Sequence, residues 1–82
     1  MVAMAWLLID NSNTRTKFSL GDAHHLLPWR GVSPTAEISN ESLRLLLGGV
    51  EFDAVMICSV VPTKATILQA YFSGKCPLHF LH

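Results

Sequence analysis

Two stretches of the chain are almost wholly apolar, one alternates, and two repeat apolar side chains at helical spacing. Met4–Ile9 (Met-Ala-Trp-Leu-Leu-Ile) runs without a polar residue into Asp10-Asn11-Ser12-Asn13, which predicts a buried strand entering a turn. The pattern then changes to period two. Thr16, Phe18 and Leu20 fall on one side and Arg15, Lys17 and Ser19 on the other, as in a strand with one face buried. Gly21-Asp22 signals another turn, and Ala23–Trp29 reads as a third strand, with Pro28, Gly31 and Pro34 as punctuation.

Leu43, Leu46 and Leu47 lie at helical spacing between a cap at Ser39 or Asn40 and the terminator Gly48-Gly49. Ala54–Val61 is the second apolar run, rich in Val and Ile, of the kind covered on both faces in a parallel sheet. Pro62 then opens a helix over about Thr63–Ser73, with Ala65, Leu68, Tyr71 and Phe72 on one side and Gly74 as its stop. Leu78–Leu81 is a last short strand. The predicted order is βββαβαβ. A meander followed by two right-handed crossovers gives a mixed α/β sheet ordered 3-2-1-4-5. In that order the first and fourth strands are parallel neighbours, and their carboxyl ends, Asp10 and Ser59, open on one edge, where open α/β sheets hold ligands.

Composition narrows the classes. A chain of 82 residues and 9.0 kDa is one small domain. Half of it is apolar and 15% is charged, which excludes a disordered tail. Six basic residues balance six acidic ones, so no basic surface points to nucleic acid. The longest apolar run, Met1–Ile9, has nine residues against the roughly 20 that span a bilayer. It carries no Lys or Arg, unlike a secretory signal. Cys58 and Cys76 make neither a disulfide framework nor a zinc spacing, and Cys58 in its apolar run reads as a reduced core residue. The expectation is a cytoplasmic protein that binds neither nucleic acid nor membrane. So high an apolar fraction in so short a chain leaves surface for a partner, another subunit or further chain.

The densest chemistry is Asp10-Asn11-Ser12-Asn13-Thr14-Arg15-Thr16-Lys17. A buried strand delivers a carboxylate at its carboxyl end, a tight turn follows, and the return strand opens with two cations on one face. Turn amides can point at phosphate oxygens, Asn13 and Thr14 can donate to them, Asp10 can hold a hydrated Mg²⁺, and Arg15 or Lys17 can offset phosphate charge. The same residues also make a serviceable hairpin turn with a solvated strand face.

Leu8–Phe18 resembles the first phosphate motif, Asp-x-Gly-Asn-Thr/Ser, of type III pantothenate kinases, and Ile57-Cys58-Ser59-Val60-Val61-Pro62 is similar to that family's Ser-Val-Val-Pro segment. The resemblance implies the N-terminal portion, over residues 1–82, of a ribonuclease H-like (actin-like ATPase) kinase domain of the acetate and sugar kinase/Hsp70/actin superfamily. It implies a reaction in which ATP phosphorylates pantothenate at its 4′-hydroxyl, the first step of coenzyme A synthesis. Mg²⁺ at Asp10, a monovalent cation (K⁺ or NH₄⁺) and a homodimer come with it. The nucleotide-facing residues it implies are Asp10, Asn11, Ser12, Asn13, Thr14, Arg15, Lys17 and Ser59. The family's Gly-x-Asp-Arg segment, general base and second phosphate motif have no counterpart here, so a catalytic base is expected beyond residue 82 and the 82 residues alone should be inactive. Ser12 stands where the family carries Gly; a turn needing positive φ there would be strained, and Ser12→Gly would relieve it. The alternative is a non-catalytic α/β module that binds a nucleotide or pairs with a subunit.

Other groups are weaker candidates. His24-His25 face opposite ways on a strand, and His79 and His82 have no ligand partners at suitable spacing. Asp10, Glu37 and Asp53 raise a two-metal nuclease, but that chemistry needs carboxylates converging on one edge. Ser59 has no Gly-x-Ser-x-Gly elbow, and Trp6 and Trp29 read as core.

Overall fold

The computed structural model describes residues 5–22 and 24–81. Residues 1–4, where the first strand was expected to begin, Ala23, the expected start of the third, and His82 lie outside the described residues. The elements are β1 (Trp6–Asn11), β2 (Arg15–Gly21), β3 (Leu26–Pro34), a 3₁₀ turn (Thr35–Glu37), α1 (Asn40–Leu47), β4 (Ala54–Ser59), α2 (Pro62–Phe72) and β5 (Leu78–Leu81). They form one mixed sheet in the expected order, β3-β2-β1-β4-β5. The first three strands are antiparallel, and β4 and β5 run parallel to β1 and to each other.

Strand β2 follows its alternation. Thr16, Phe18 and Leu20 are buried while Arg15 and Lys17 are exposed. The matching face of β1 and β4 supplies Leu7, Ile9, Val55 and Ile57, which pack with Leu43 and Leu47 of α1 and Leu68 and Phe72 of α2. Each such side chain contributes about 1.5–3 kcal/mol on leaving water. Ser39 is the cap of α1: its Oγ accepts from the Ser42 amide, and Ser42 Oγ accepts from the Ser39 amide, closing a capping box. Gly74, at φ 79°, turns the chain out of α2 in the left-handed conformation.

Several expectations need correction. The second apolar run is not covered on both faces. Both crossovers step the same way across the sheet, so handedness puts both helices on one side, and the opposite face of β4 carries the half-buried Met56 and the exposed Cys58. Cys58 is therefore not a core residue. Trp6 also lies on that open face, half-buried, its ring 5.4 Å from that of His79; Trp29 does pack against the core.

A further correction is β3, which runs through Gly31 to Pro34 instead of stopping at Trp29. It is an edge strand, so the missing N–H of Pro28 and of Pro34 takes nothing from the sheet interior. Gly31 is required by packing: a Cβ there would sit 2.9 Å from Cη2 of Trp29 and 3.3 Å from Leu46. The apolar run before the second helix likewise leaves the sheet earlier than expected, β4 ending at Ser59.

Candidate functional site

The carboxyl ends of β1 and β4 meet in register, Asp10 opposite Cys58 and Asn11 opposite Ser59. Asp10 and Ser59 thus open on one edge, as the topology required. Period two then separates the neighbours Asp10 and Asn11. Asp10 is exposed and turns to the open face, whereas Asn11 is 1% exposed and turns to the helical face.

On the open side Asp10 lies across from Lys17 in the β1–β2 ladder. Asp10, Ser12, Asn13, Thr14, Arg15 and Lys17 line a shallow groove of about 460 Å³. Oδ1 of Asp10 accepts from Ser12 Oγ at 3.2 Å. Among the described residues neither Asp10 nor the two cations enters an ion pair, so both signs of charge face the groove uncompensated. A larger hollow of about 710 Å³, walled by Leu8, Met56, Val32 and Leu81, adjoins it and shares Asp10 and Lys17. The polar chemistry is in the smaller groove.

The turn itself is a short hairpin closed by the Ser12 amide donating to the Arg15 carbonyl at 3.2 Å. Among the described residues only Gly74 has a positive φ. Ser12 is consequently unstrained, and the strain expected at this position is absent. The amides of Asn13 and Thr14 donate to no group among the described residues.

Behind the turn, on the helical side, runs a chain of buried polar groups whose direction can be deduced. Thr35 Oγ1 lies 2.6 Å from the Ser12 carbonyl, which can only accept, so the Thr35 proton is committed there. Thr16 Oγ1, 2.9 Å from Thr35 Oγ1, must then donate to it. Asn11 Nδ2 donates to Thr16 Oγ1 at 2.8 Å, which leaves Asn11 Oδ1 to accept from Ser59 Oγ at 2.7 Å. Ser59 Oγ accepts in turn from the Val61 amide at 3.1 Å. The Val60 amide also donates to the Asn11 carbonyl. The end of β4 is thereby linked to the hairpin through Asn11, Thr16 and Thr35.

No family model matches the chain. It is 51% identical over 78 residues to the type III pantothenate kinase of Akkermansia muciniphila. Its homologue is a type III pantothenate kinase. The match takes in 95% of this chain and 31% of the kinase, so the chain spans about a third of the length of the curated relative it matches. The family resemblance carried by Leu8–Phe18 and Ile57–Pro62 is shown by that match.

The carboxylates of the nuclease alternative do not come together. Asp53 precedes β4 and exchanges hydrogen bonds with Ala5: its Oδ2 accepts from the Ala5 amide at 2.8 Å, and its own amide donates to the Ala5 carbonyl at 2.8 Å. That is the opposite end of β1 from Asp10, a strand length of about 16 Å at 3.3 Å per residue. Glu37 lies in the 3₁₀ turn. Sequence reading missed Thr35 altogether. Its only signal was a hydroxyl following Pro34, and its partners are far away in sequence.

Proposed function

We propose that this chain provides the nucleotide-phosphate portion of an ATP-dependent pantothenate kinase, on a ribonuclease H-like, actin-like half-domain. The observation that carries the reading is the groove, with two unpartnered turn amides between an unpaired carboxylate and two unpaired cations. Its occurrence in a segment 51% identical to a pantothenate kinase supports the assignment.

The residues fit the ligand by the chemistry of their donor set. Unpartnered amides and cations suit phosphate oxygens, and a single exposed carboxylate suits a Mg²⁺ that keeps most of its waters. Asp10 would hold that ion, which when bound neutralises charge on the transferring phosphoryl group. Asn13, Thr14 and the turn amides bind and orient the phosphate chain, and Arg15 and Lys17 offset its charge from the adjoining strand. Asn11 and Ser59, whose polar atoms are engaged with Thr16, Val61 and each other, hold the end of β1 and do not touch the nucleotide. Catalysis of this kind is positioning and electrostatics.

The reading includes pantothenate as acceptor, a general base outside these residues, a cytoplasmic location and a homodimer; no residue of this chain is assigned to a monovalent cation. Among the described residues no helix is long and apolar enough to cross a membrane. Titration of the ¹⁵N-labelled chain with ATP and Mg²⁺ tests the site. Saturable shifts at Asp10, Asn13, Thr14 and Lys17, lost on Asp10→Asn and weakened by salt, are expected. Shifts confined to other residues, or none, contradict it.

A further inference from the structure

We infer that Thr35 is a positioning residue, which holds the hairpin turn with the Asn13 amide facing outward, and this rests on the phosphate reading above. Thr35 is 2% exposed and meets the turn twice. Its hydroxyl donates to the Ser12 carbonyl at 2.6 Å and its backbone amide donates to the Thr14 carbonyl at 2.9 Å. One residue therefore grips the carbonyls on either side of Asn13.

The consequence follows from peptide geometry. A trans peptide sets its N–H antiparallel to its C=O, and no described peptide bond is cis. Fixing the Ser12 carbonyl on Thr35 turns the Asn13 amide away from Thr35 and out of the fold. Were the hydroxyl removed, that peptide could rotate, and the unsatisfied carbonyl would seek the Arg15 amide or water. The outward amide would then be one orientation among several.

Thr35 is itself held. Its hydroxyl accepts from Thr16, the last step of the chain from Val61 through Ser59 and Asn11. On the far side Lys64 Nζ donates to the carbonyls of Ala36 and Ile38 at 3.3 and 3.2 Å. A cation in the first turn of α2 opposes the helix dipole, and these two carbonyls compensate it while fixing the segment that carries Thr35. The strand end beside the groove and the turn that forms it are thus set by one connected hydrogen-bond network.

The test compares Thr35→Val, which keeps the shape and the backbone amide but loses the hydroxyl, with Thr35→Ser, which restores it. In the nucleotide-free chain, Thr35→Val is expected to shift the amide resonances of Asn13 and Thr14 and to speed exchange of the hydrogen-bonded Ser12 amide about tenfold, while the amides of Leu7 and Ile57 stay protected; Thr35→Ser should match the unsubstituted chain. With ATP and Mg²⁺, Thr35→Val should bind about tenfold more weakly and Thr35→Ser within about twofold. Unchanged turn amides in a folded Thr35→Val chain overturn the inference, even if nucleotide binds. Altered turn amides rescued by Ser, in a chain whose unsubstituted form gives no saturable response to ATP, uphold the hold on the turn and remove the phosphate reading instead.

Discussion

The hydroxyl of Ser59 donates to the side-chain carbonyl of Asn11 at 2.7 Å, joining the ends of two parallel strands that are 48 residues apart in the chain. It puts the amide of Asn11 in service of the fold, directly behind the exposed carboxylate of Asp10.

Asn11→Ala removes both sides of that amide and leaves the half-buried hydroxyl of Ser59 and the buried hydroxyl of Thr16 each short of a partner. Each unsatisfied group costs about 1–3 kcal/mol. A loss of about 2–4 kcal/mol is expected in urea unfolding, with an unchanged denaturant slope. A loss below about 0.5 kcal/mol would mean that water replaces the amide without penalty.

Gly31→Ala should disturb Trp29 before anything else, because the new methyl would lie 2.9 Å from the ring and 3.3 Å from Leu46. Overpacking of this kind costs about 1–3 kcal/mol. In a Trp6→Phe background the remaining fluorescence reports Trp29 alone, and its emission should shift towards the exposed value. An unshifted spectrum with full stability would show that the ring has room to move.

Ser12→Gly is expected to weaken the site, contrary to what the family's glycine implied. No positive φ awaits relief, the contact from Ser12 Oγ to Asp10 disappears, and glycine adds chain entropy worth about 0.5–1 kcal/mol. Calorimetry should find lower stability and no gain in ATP affinity. Tighter binding by the glycine variant would show that the side chain obstructs the phosphate.

Asp22 governs the other hairpin, between β2 and β3. Its Oδ1 accepts the amides of His24 and His25 at 2.8 and 2.9 Å. Those two bonds, with a smaller contribution from the charge of the histidines, hold its carboxyl below the usual value. A depressed folded value means stability that is present above the unfolded carboxylate range and lost as pH falls through the folded one. Asp22→Ala should therefore be less stable at neutral pH, with a flatter decline on acidification. Parallel pH profiles for the two proteins would remove Asp22 from the acid response.

Local patterns carried most of this architecture. The alternation in β2 names its buried face correctly, and the leucine spacing in α1 names its core side, because each residue's environment is set by its immediate neighbours. The clustering of polar and charged groups at the Asp10 turn was legible for the same reason: its carboxylate, amides and cations are contiguous. β3 was obscured by prolines that an edge strand tolerates. The exposure of Cys58 and Trp6 was hidden because an apolar run does not say how many of its faces are covered. Thr35 was invisible, since its partners Ser12, Thr14 and Thr16 lie about twenty residues earlier and meet it only when β3 closes on β2.

The central claim is that the Asp10 turn serves phosphoryl transfer, and a chimera tests it most directly. The homologous segment of the Akkermansia muciniphila pantothenate kinase is replaced by this chain, and ATP-dependent phosphorylation of pantothenate is measured with and without Asp10→Asn. The account predicts an active chimera in which Asp10→Asn lowers kcat by about 10²–10³-fold, the range for loss of one charge-stabilising group, with a smaller change in the KM for ATP. A folded chimera without turnover, or one whose kcat is indifferent to Asp10→Asn, would contradict it.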